Sequence, residues 1–501
     1  MNMDMNIVLY GFIQCLTPMN LGVSIISLFV GILFGALPGF TATMAVAVFI
    51  PFSYWLPPAA ALLMLSGLFC GGIYAGSITA ILLGIPGTPA SVPTIFDAIP
   101  LRKQGQAGRC LGLVTWCSAF GGVASALSLL IFAPILASVA VKVGPPEQFA
   151  LAVFGLSVVC ILTSGNMIKG ITVGIFSLIL ASVGQDPIHA FPRFTFGNFQ
   201  ILTGMPLIPI LIGVFSLPEV FRMIEEGIKK KLDTGGKVGK VELRLKDIKD
   251  TLGTTIRSSL IGVGIGILPA AGPDIAAFIS YNNAVNTSKD PESFGKGNIH
   301  GIVAGETANN ACTGSSLVPL VTLGIPGSAP AALYLGALFI HGLRPGTQLF
   351  STGAPIVYTM MAGFLVINVL MLFQGLLFCK IAANVVKVSR VILVPCIACL
   401  AVLGAFAMQQ SMFDVLIMVI VSIIAYILQK YGFPVSPIAL GLILGPMMEQ
   451  TLGQSMIMFR GNFFQIFSRP LAVVFLVLAV FSLAWPALSK RLFKKSAKAP
   501  E

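Results

Sequence analysis

Charge is scarce in this sequence. Only 10% of its 501 residues are charged, whereas a soluble protein of this length carries about 25%. Histidine is rarer still: there are three in the whole chain, and none belongs to an HExxH pattern or to a cluster of metal-binding spacing. These deficits argue against a soluble protein and against a metalloenzyme.

Lysine and arginine are missing from long stretches and concentrated in others. No basic residue occurs in 1–101, 258–286 or 301–343, whereas nine lie in 222–249 and five in 490–498. The net charge of +12 therefore comes from clusters between and after apolar runs, which is the positive-inside pattern rather than a nucleic-acid surface. We expect both clusters to face the cytoplasm.

A signal-peptide pattern and a pattern of paired cysteines are also absent. The first 20 residues have no basic segment and no small-residue cleavage site, so we expect no removable signal peptide. The nine cysteines, of which Cys396 and Cys399 are the most closely spaced, lie in apolar surroundings and are expected to be reduced packing residues.

Long apolar runs are abundant, and 56% of the residues are hydrophobic. About 20 apolar residues cross a bilayer. Runs of that order recur along the chain, for example at 21–37, 57–83, 110–141, 353–379, 411–428 and 471–489. The sequence therefore predicts an all-α polytopic membrane protein with about 12 transmembrane helices.

One short motif occurs twice. "GIPGTP" begins at residue 84 and "GIPGSAP" at residue 324, and we call residues 84–87 and 324–327 the first and second GIPG segments. Upstream of them, "VGILFGALPGFTA" (30–42) resembles "IGVGIGILPAAGPDIAA" (261–277). Matched elements in the same order at a nearly constant offset predict an internal duplication.

The duplication predicts the domain organisation. Residues 1–224 form a first transmembrane repeat, 225–250 a basic cytoplasmic linker, 251–489 a second repeat, and 490–501 a basic cytoplasmic tail. Duplicated halves with broken or re-entrant helices are typical of secondary transporters, whose sites lie where the breaks meet. The pattern leaves open whether the repeats are inverted or parallel.

The breaks are the candidate binding elements. Proline and glycine free backbone N–H and C=O groups, which membrane proteins tolerate only where protein or a watery cavity satisfies them. Helix N-termini favour anions, and hydroxyl or amide side chains add donors. The candidate substrate-binding residues are Thr41, Thr43, Ser77, Thr79, Pro86, Gly87, Thr88, Asn309, Asn310, Thr313, Ser315, Pro326, Gly327 and Ser328.

Acidic residues near the breaks are candidates for binding a cation. Asp274 follows the broken "LPAAGP" stretch, so Asp274 and the carbonyl of Gly272 are the predicted cation ligands. Glu306 has two interpretations, a functional carboxylate or an interfacial residue at the start of its span. Asp97 is equally open, because Arg102 or Lys103 could neutralise it at the surface.

Two other functions stay open as alternatives. Duplicated broken helices also build channels, although no ring of like charge and no carbonyl filter is visible. An intramembrane hydrolase would use a serine of "TGSS" (313–316) with His300 or His341. We expect a transporter, not an enzyme.

The stretches around the breaks resemble the large membrane subunit of the tripartite tricarboxylate transporters, the TctA family. They include "GALPGFTATMAVAVFIPF" (35–52), the two long strings at 71–112 and 294–346, "SVGQDPIHAFPRFTFG" (182–197) and "GNFFQIFSRP" (461–470). The similarity covers almost the whole chain. One departure is Ala270, where the family pattern has glycine after the proline.

The resemblance implies a bacterial inner-membrane secondary transporter that imports di- or tricarboxylates such as citrate. It implies a periplasmic solute-binding protein and a small four-span membrane subunit as partners. It also implies symport with Na⁺ or H⁺ as the coupling ion and no other cofactor. The sequence does not select the carboxylate.

Overall fold

The computed structural model of the chain describes residues 5–140, 143–162, 167–227, 240–268, 271–386, 388 and 390–496. The described part is almost entirely helical, which confirms the predicted all-α membrane fold. Its one pair of strands is antiparallel, β1 (Gly184–Gln185) with β2 (Pro192–Arg193). Pro269 and Ala270, where a further break and a departure from the family pattern were predicted, lie outside the described residues.

The helices of the first half begin with a short N-terminal segment and include one of 34 residues. They are α1 (Met5–Cys15), α2 (Pro18–Gly35), α3 (Ala42–Ser53), α4 (Pro58–Leu83), α5 (Val92–Lys103), α6 (Ala107–Ala140), α7 (Pro145–Leu162), α8 (Met167–Ala181), α9 (Leu207–Phe215) and α10 (Leu217–Glu225). A 3-10 turn, Pro89–Ser91, precedes α5, and another covers Phe199–Ile201.

The second half repeats this mixture of long and short helices. They are α11 (Leu245–Ile267), α12 (Gly272–Thr287), α13 (Ile299–Ser315), α14 (Leu317–Leu323), α15 (Ala329–Ile340), α16 (Ala354–Cys379), α17 (Ala382–Val385), α18 (Arg390–Gln409), α19 (Met412–Lys430), α20 (Ser436–Met458) and α21 (Pro470–Ser496). Short 3-10 helices cover Pro291–Ser293 and Phe463–Ser468.

Within the described residues, seven helices are long and apolar enough to cross a membrane. They are Pro18–Gly35, Pro58–Leu83, Ala107–Ser138, Leu207–Glu225, Ala354–Cys379, Val391–Gln409 and Met412–Lys430. Six shorter apolar helices of 10–17 residues accompany them, among them α3 and α15, which directly follow breaks. Short helices next to breaks are the elements expected of a transporter with broken spans.

The chain divides into two compact units. Unit 1 contains 1–138 and 215–415, and unit 2 contains 139–214 and 416–501. Each unit therefore combines a part of each sequence half. The linker predicted at 225–250 is described only at its two ends, and the predicted repeat boundaries stay a prediction.

In unit 1, two pairs of helices pack closely through glycine. A methyl group added at Gly31 of α2 would lie 2.8 Å from Leu68 Cα of α4. A methyl group added at Gly262 of α11 would lie 2.9 Å from Ala308 Cα of α13. Both glycines therefore permit a backbone approach that any side chain would prevent. Gly262 follows Gly31 by 231 residues, and Ala308 follows Leu68 by 240 residues. These similar offsets agree with the duplication predicted from the sequence.

Unit 2 is built around α20, which packs against α7 and α8. Gly441 of α20 lies against Ser177 of α8, so the two backbones are close. The strand pair is fixed to the same helix, because the Arg193 guanidinium donates to both carboxylate oxygens of Glu449. None of the predicted binding residues belongs to unit 2.

Candidate functional site

The two GIPG segments have the same backbone geometry. After α4, Gly84 has φ +69°, and after α14, Gly324 has φ +75°. The Gly87 N–H donates to the Gly76 carbonyl at 3.2 Å, and the Gly327 N–H donates to the Ser316 carbonyl at 3.1 Å. Each segment thus leaves its helix through a left-handed glycine and folds back onto the last turns of the preceding helix.

These hydrogen bonds refine the alignment of the two halves. In the sequence, a Gly-Ser pair precedes each GIPG segment, Gly76-Ser77 and Gly314-Ser315, so these two pairs look equivalent. The structure instead pairs Gly76 with Ser316, at the same offset of 240 that relates Gly87 to Gly327. At this offset the continuous helix α4 corresponds to α13 and α14 together, which are separated at Ser316.

Glycine is required at the turn of each segment by close contact. A methyl group added at Gly87 would lie 2.6 Å from Thr79 Oγ1, and one added at Gly327 would lie 2.6 Å from the Gly266 carbonyl oxygen. Both distances are shorter than any relaxed contact of a methyl carbon. The two predicted binding glycines therefore bring the segments into direct backbone contact with the helices beneath them.

The first-half hydroxyls surround the first GIPG segment. Thr41 caps α3 by accepting a hydrogen bond from the Met44 N–H at 3.1 Å, and Thr43 lies half-buried in the same first turn. Ser77 and Thr79 are buried in α4 and donate to the carbonyls of Tyr74 and Gly76. In a further contact, Thr88 Oγ1 lies 3.3 Å from Ser91 Oγ, and Pro86 is half-buried.

The second-half residues have an equivalent arrangement. Ser328 caps α15 by accepting from the Ala331 N–H at 3.3 Å, and its Oγ lies 3.1 Å from Ser316 Oγ. The Gly272 N–H donates to the Gly327 carbonyl at 3.1 Å, which joins the break before α12 to the second GIPG segment. Pro326 is buried in this segment.

The remaining second-half candidates lie on α13. The hydroxyls of Thr313 and Ser315 donate to the carbonyls of Asn310 and Ala311 within the helix. Ser315 is therefore not paired with a histidine, and His300 instead lies with its Nδ1 2.8 Å from Thr254 Oγ1. These contacts give no support to a serine nucleophile.

Asp274 brings the two halves together. Its carboxylate lies near the backbone N–H of Ala90, in the 3-10 turn that follows the first GIPG segment. Although protein atoms surround it, the side chain is exposed to solvent. Asp274 therefore links the break before α12 to the turn that follows the first GIPG segment.

A second link between the halves involves Glu306. This residue is fully buried in the middle of α13, and its Oε1 accepts a hydrogen bond of 2.5 Å from Thr94 Oγ1 at the start of α5. Asn309 and Asn310 follow one turn later, with their Oδ1 atoms buried and without a hydrogen-bond partner. Glu306 is therefore not an interfacial residue, and its other interpretation, a functional carboxylate, stays a prediction.

Asp97 has a structural role instead. It is fully buried, and its Oδ1 accepts hydrogen bonds from the N–H groups of Gly295, Gly297 and Asn298, while Tyr281 donates to its Oδ2. Arg102, its suggested surface partner, donates to the Leu82 carbonyl. Asp97 therefore fixes the loop before α13, and its charge is satisfied by four donors.

Two buried polar residues were not singled out from the sequence. Ser125 of α6 accepts a hydrogen bond from the Gly314 N–H at 3.1 Å and lies 3.2 Å from Thr313 Oγ1. Asn368 of α16 is buried with its Oδ1 unpartnered. A polar residue inside a long apolar helix is the signal that would have found both.

Comparisons with known proteins give a consistent result. The family model described as "Tripartite tricarboxylate transporter TctA family" matches residues 21–440. An Agrobacterium vitis protein described as an uncharacterized 52.8 kDa protein in the TAR-I ttuC' 3' region is 34% identical over 470 residues, covering 94% of this chain and 93% of that protein. A second Agrobacterium vitis protein, from the TAR-II ttuC' 3' region, is 32% identical over 216 residues, covering 43% of this chain and 89% of that protein.

No solved structure matches the chain. The family match spans both GIPG segments and every predicted binding residue, including Asp274 and Gly272. This polytopic membrane protein therefore belongs to the tripartite tricarboxylate transporter TctA family.

Proposed function

We propose that this chain is the large transmembrane subunit of a cation-coupled secondary transporter that imports di- or tricarboxylates across the bacterial inner membrane. It receives the solute from a periplasmic binding protein and works with a small four-span membrane subunit. The observation that carries this proposal is the meeting of two breaks from different halves, with Asp274 of one beside Ala90 of the other.

The donors around the breaks suit a carboxylate. Thr41 and Ser328 cap the N-termini of α3 and α15, each a 12-residue helix that starts at a break. A helix N-terminus carries about half a positive charge, which favours an anion. Further polar groups come from both halves of the chain. They are the hydroxyls of Thr43 and Thr88 in the first half and the amide groups of Asn309 and Asn310 in the second. We propose that these residues bind the solute.

The absence of basic residues supports cation coupling. No lysine or arginine occurs in the sequence windows that contain the GIPG segments. Helix termini offset only part of the charge of a di- or trianion, so the remainder requires bound cations. We propose that the Asp274 carboxylate and the Gly272 carbonyl bind one of them, Na⁺ or H⁺.

Uptake into proteoliposomes tests this function. The chain is reconstituted with the small membrane subunit and the binding protein encoded beside it, and radiolabelled citrate and succinate are the probes. We expect uptake of at least one of them that needs both the binding protein and a Na⁺ or H⁺ gradient. Saturable uptake by the purified chain alone with unchanged apparent affinity, or accumulation after both gradients are collapsed, contradicts the proposal.

Site variants separate binding from packing. Removing a hydrogen bond to a charged group costs about 1.5–3 kcal/mol, which is about tenfold or more in affinity. We therefore expect Ser77→Ala, Thr88→Ala, Asn310→Ala and Ser315→Ala to lower transport while thermal stability stays near normal. The matched control is Thr359→Ala in α16, whose hydroxyl donates to the Pro355 carbonyl outside the site. Full activity in all four site variants would show that the breaks serve packing alone.

A further inference from the structure

Glu306 is a buried carboxylate with one weakly satisfied oxygen. Its Oε1 accepts from Thr94 Oγ1 at 2.5 Å, and the Ser91 hydroxyl also lies near the carboxyl group. At Oε2, Asn309 Nδ2 is 3.5 Å away, which is too long for a good hydrogen bond. The residue has no measurable exposure. A fully ionised carboxylate in this position lacks the donors that stabilise Asp97 nearby.

No basic side chain compensates this charge. The ion pairs among the described residues do not include Glu306, and no lysine or arginine occurs between 301 and 343 on its own helix or the next two. The elements packed against α13 are α4, the 3-10 turn Pro89–Ser91, α5, α11, α12 and α14, and α6 lies against Thr307. A buried charge without a partner is costly, so a proton or a metal ion must neutralise it.

Basic side chains on these neighbouring elements bind elsewhere, since Arg102 of α5 donates to the Leu82 carbonyl and Arg257 of α11 donates to Thr287. The Cys117 thiol of α6 lies near the Glu306 carboxylate. Asp97 of α5 is satisfied by its own four donors. On α12, Asp274 lies beside Ala90 and Tyr281 donates to Asp97. His300, at the start of α13, contacts Thr254 of α11. None of these groups supplies a positive charge to Glu306.

The amide oxygens that follow Glu306 on α13 suit a cation. Asn309 and Asn310 follow Glu306 at the spacing that places side chains on one helical face. Their Oδ1 atoms are buried acceptors without donors, and Asn310 Nδ2 already donates to the Glu306 carbonyl at 2.9 Å. A carboxylate, a hydroxyl and amide oxygens are hard ligands for a small cation, so Asn309 and Asn310 can offer their oxygens to a cation as well as their amide N–H groups to the solute.

The other half shows that packing does not require a carboxylate here. The offset of 240 residues relates Glu306 to Ser66 and Thr94 to Tyr334. Tyr334 donates to Ser66 Oγ at 2.7 Å, so the equivalent hydrogen bond joins two hydroxyls. The acidic residue is therefore specific to one half of an otherwise matched arrangement.

We propose that Glu306, Thr94 and the amide oxygens of Asn309 and Asn310 form a site for a small monovalent cation, H⁺ or Na⁺, separate from Asp274. The inference rests on the proposed function only in that the bound cation is carried with the carboxylate. Thr94 begins the helix that follows the first GIPG segment, so occupancy of the site determines the hydrogen bond that holds this segment to α13.

Carbodiimide labelling tests the site without transport. Dicyclohexylcarbodiimide modifies carboxyl groups in apolar surroundings, and mass spectrometry of the purified full chain in nanodiscs locates the adduct. We expect an adduct on Glu306 that disappears in Glu306→Gln and persists in Asp274→Asn. A decrease with NaCl, compared with choline chloride at equal ionic strength and pH, identifies Na⁺. A decrease only with rising pH in choline chloride identifies H⁺.

Uptake by the complete system is the second measurement. We expect Glu306→Gln to lower the stimulation of citrate or succinate uptake by the coupling cation about tenfold, and Thr94→Val to lower it less. Ser66→Ala, at the equivalent position of the other half, is the control and should keep the wild-type cation dependence. Size-exclusion profiles and melting temperatures show that the variants are folded.

The outcomes separate the two proposals. Labelling of Glu306 that neither Na⁺ nor pH changes overturns the cation site, and so does a folded Glu306→Gln variant with wild-type cation dependence. If no adduct forms, the uptake measurement decides. If the complete wild-type system takes up no carboxylate, the proposed transport function fails, while the labelling of the purified chain still supports or overturns the site.

Discussion

Tyr334 donates a hydrogen bond of 2.7 Å to Ser66 Oγ, joining α15 to α4 deep inside unit 1. Both residues are fully buried. Their counterparts 240 positions away, Thr94 and Glu306, are also hydrogen-bonded to each other, with the donor again on the helix that follows a GIPG segment. The duplicated halves thus keep the contact and change its chemistry from two hydroxyls to a hydroxyl and a carboxylate.

This relationship predicts different effects for the two pairs. Tyr334→Phe should lower stability by about 1 kcal/mol, the net value of one buried hydrogen bond, and leave the cation dependence of uptake unchanged. Thr94→Val should affect uptake more than stability, because it removes a donor from the proposed cation site. Melting temperature and uptake are measured on both variants. Equal losses of uptake in the two would contradict the assignment of separate roles.

The glycines at the two turns predict a matched pair of packing defects. Gly87→Ala and Gly327→Ala both place a methyl group 2.6 Å from a neighbouring oxygen, so each should destabilise the protein by about 1–3 kcal/mol and abolish uptake. Gly264→Ala in α11 is the control, because nothing lies within 4 Å of its added methyl group. Alanine is a better helix former than glycine, so this variant should melt at the same temperature or slightly higher. Wild-type stability in both GIPG variants would refute the close contacts.

Arg109 and Asp247 form a bidentate pair between α6 and the polar first turn of α11, with both distances 2.7 Å. The hydrogen bonds from Arg109 lower the pKa of Asp247 below its usual value. A carboxylate with a lowered pKa contributes stability above its ordinary pKa and loses it as the pH falls through the lowered value. Asp247→Asn should therefore cost about 1.5–3 kcal/mol at pH 7, with a difference from wild type that shrinks below about pH 4.

Glu242→Gln is the control for this pair. Glu242 binds Arg244 at the surface, where both side chains are well exposed, and an exposed pair contributes about 0–1 kcal/mol. The melting temperatures of wild type and both variants are compared between about pH 3.5 and pH 7.5, a range that begins where carboxyl groups titrate. An Asp247→Asn effect that grows as the pH falls would show that the sign of this linkage is wrong.

The basic clusters predict which ends of the chain face the cytoplasm. Single Gly235→Cys and Ser496→Cys variants, in the basic linker and the basic tail, should resist an impermeant thiol reagent added to intact cells and react after permeabilisation. Cys396 and Cys399 are exposed, so they are first replaced by serine to remove background labelling. Gly235 lies outside the described residues, and labelling it from outside would overturn both the orientation and the repeat boundary.

The sequence predicted the helical membrane fold and the helix breaks at the GIPG segments, because hydropathy and the positions of proline and glycine are local signals. Thr41 and Ser328 were predicted only as polar residues beside the breaks, and the structure shows that they cap α3 and α15. The Thr94–Glu306 contact spans 212 positions, and nothing local in either residue identifies the partner. For the same reason, the sequence does not reveal that each compact unit contains segments from both halves, because this arrangement depends on contacts between distant residues.

The count of transported cations follows from charge and membrane potential. Moving one elementary charge through 100 mV takes about 2.3 kcal/mol. A trianion that enters a cell with a negative interior must therefore overcome roughly 7 kcal/mol of electrical work. Three cations would make its uptake electroneutral, and a fourth would let the potential drive it. Asp274 and Glu306 offer two carboxylates for this purpose, on different helices and with different neighbours.

We therefore expect uptake of the fully ionised solute to carry net positive charge inward. In proteoliposomes with the complete set of partners, a potassium diffusion potential that is negative inside should raise the initial rate, and one that is positive inside should lower it. Asp274→Asn and Glu306→Gln should each reduce this voltage dependence, because each removes one site for a co-transported cation. Uptake that is faster with a positive interior would mean that the solute enters with fewer cations than its own charge, which contradicts this prediction.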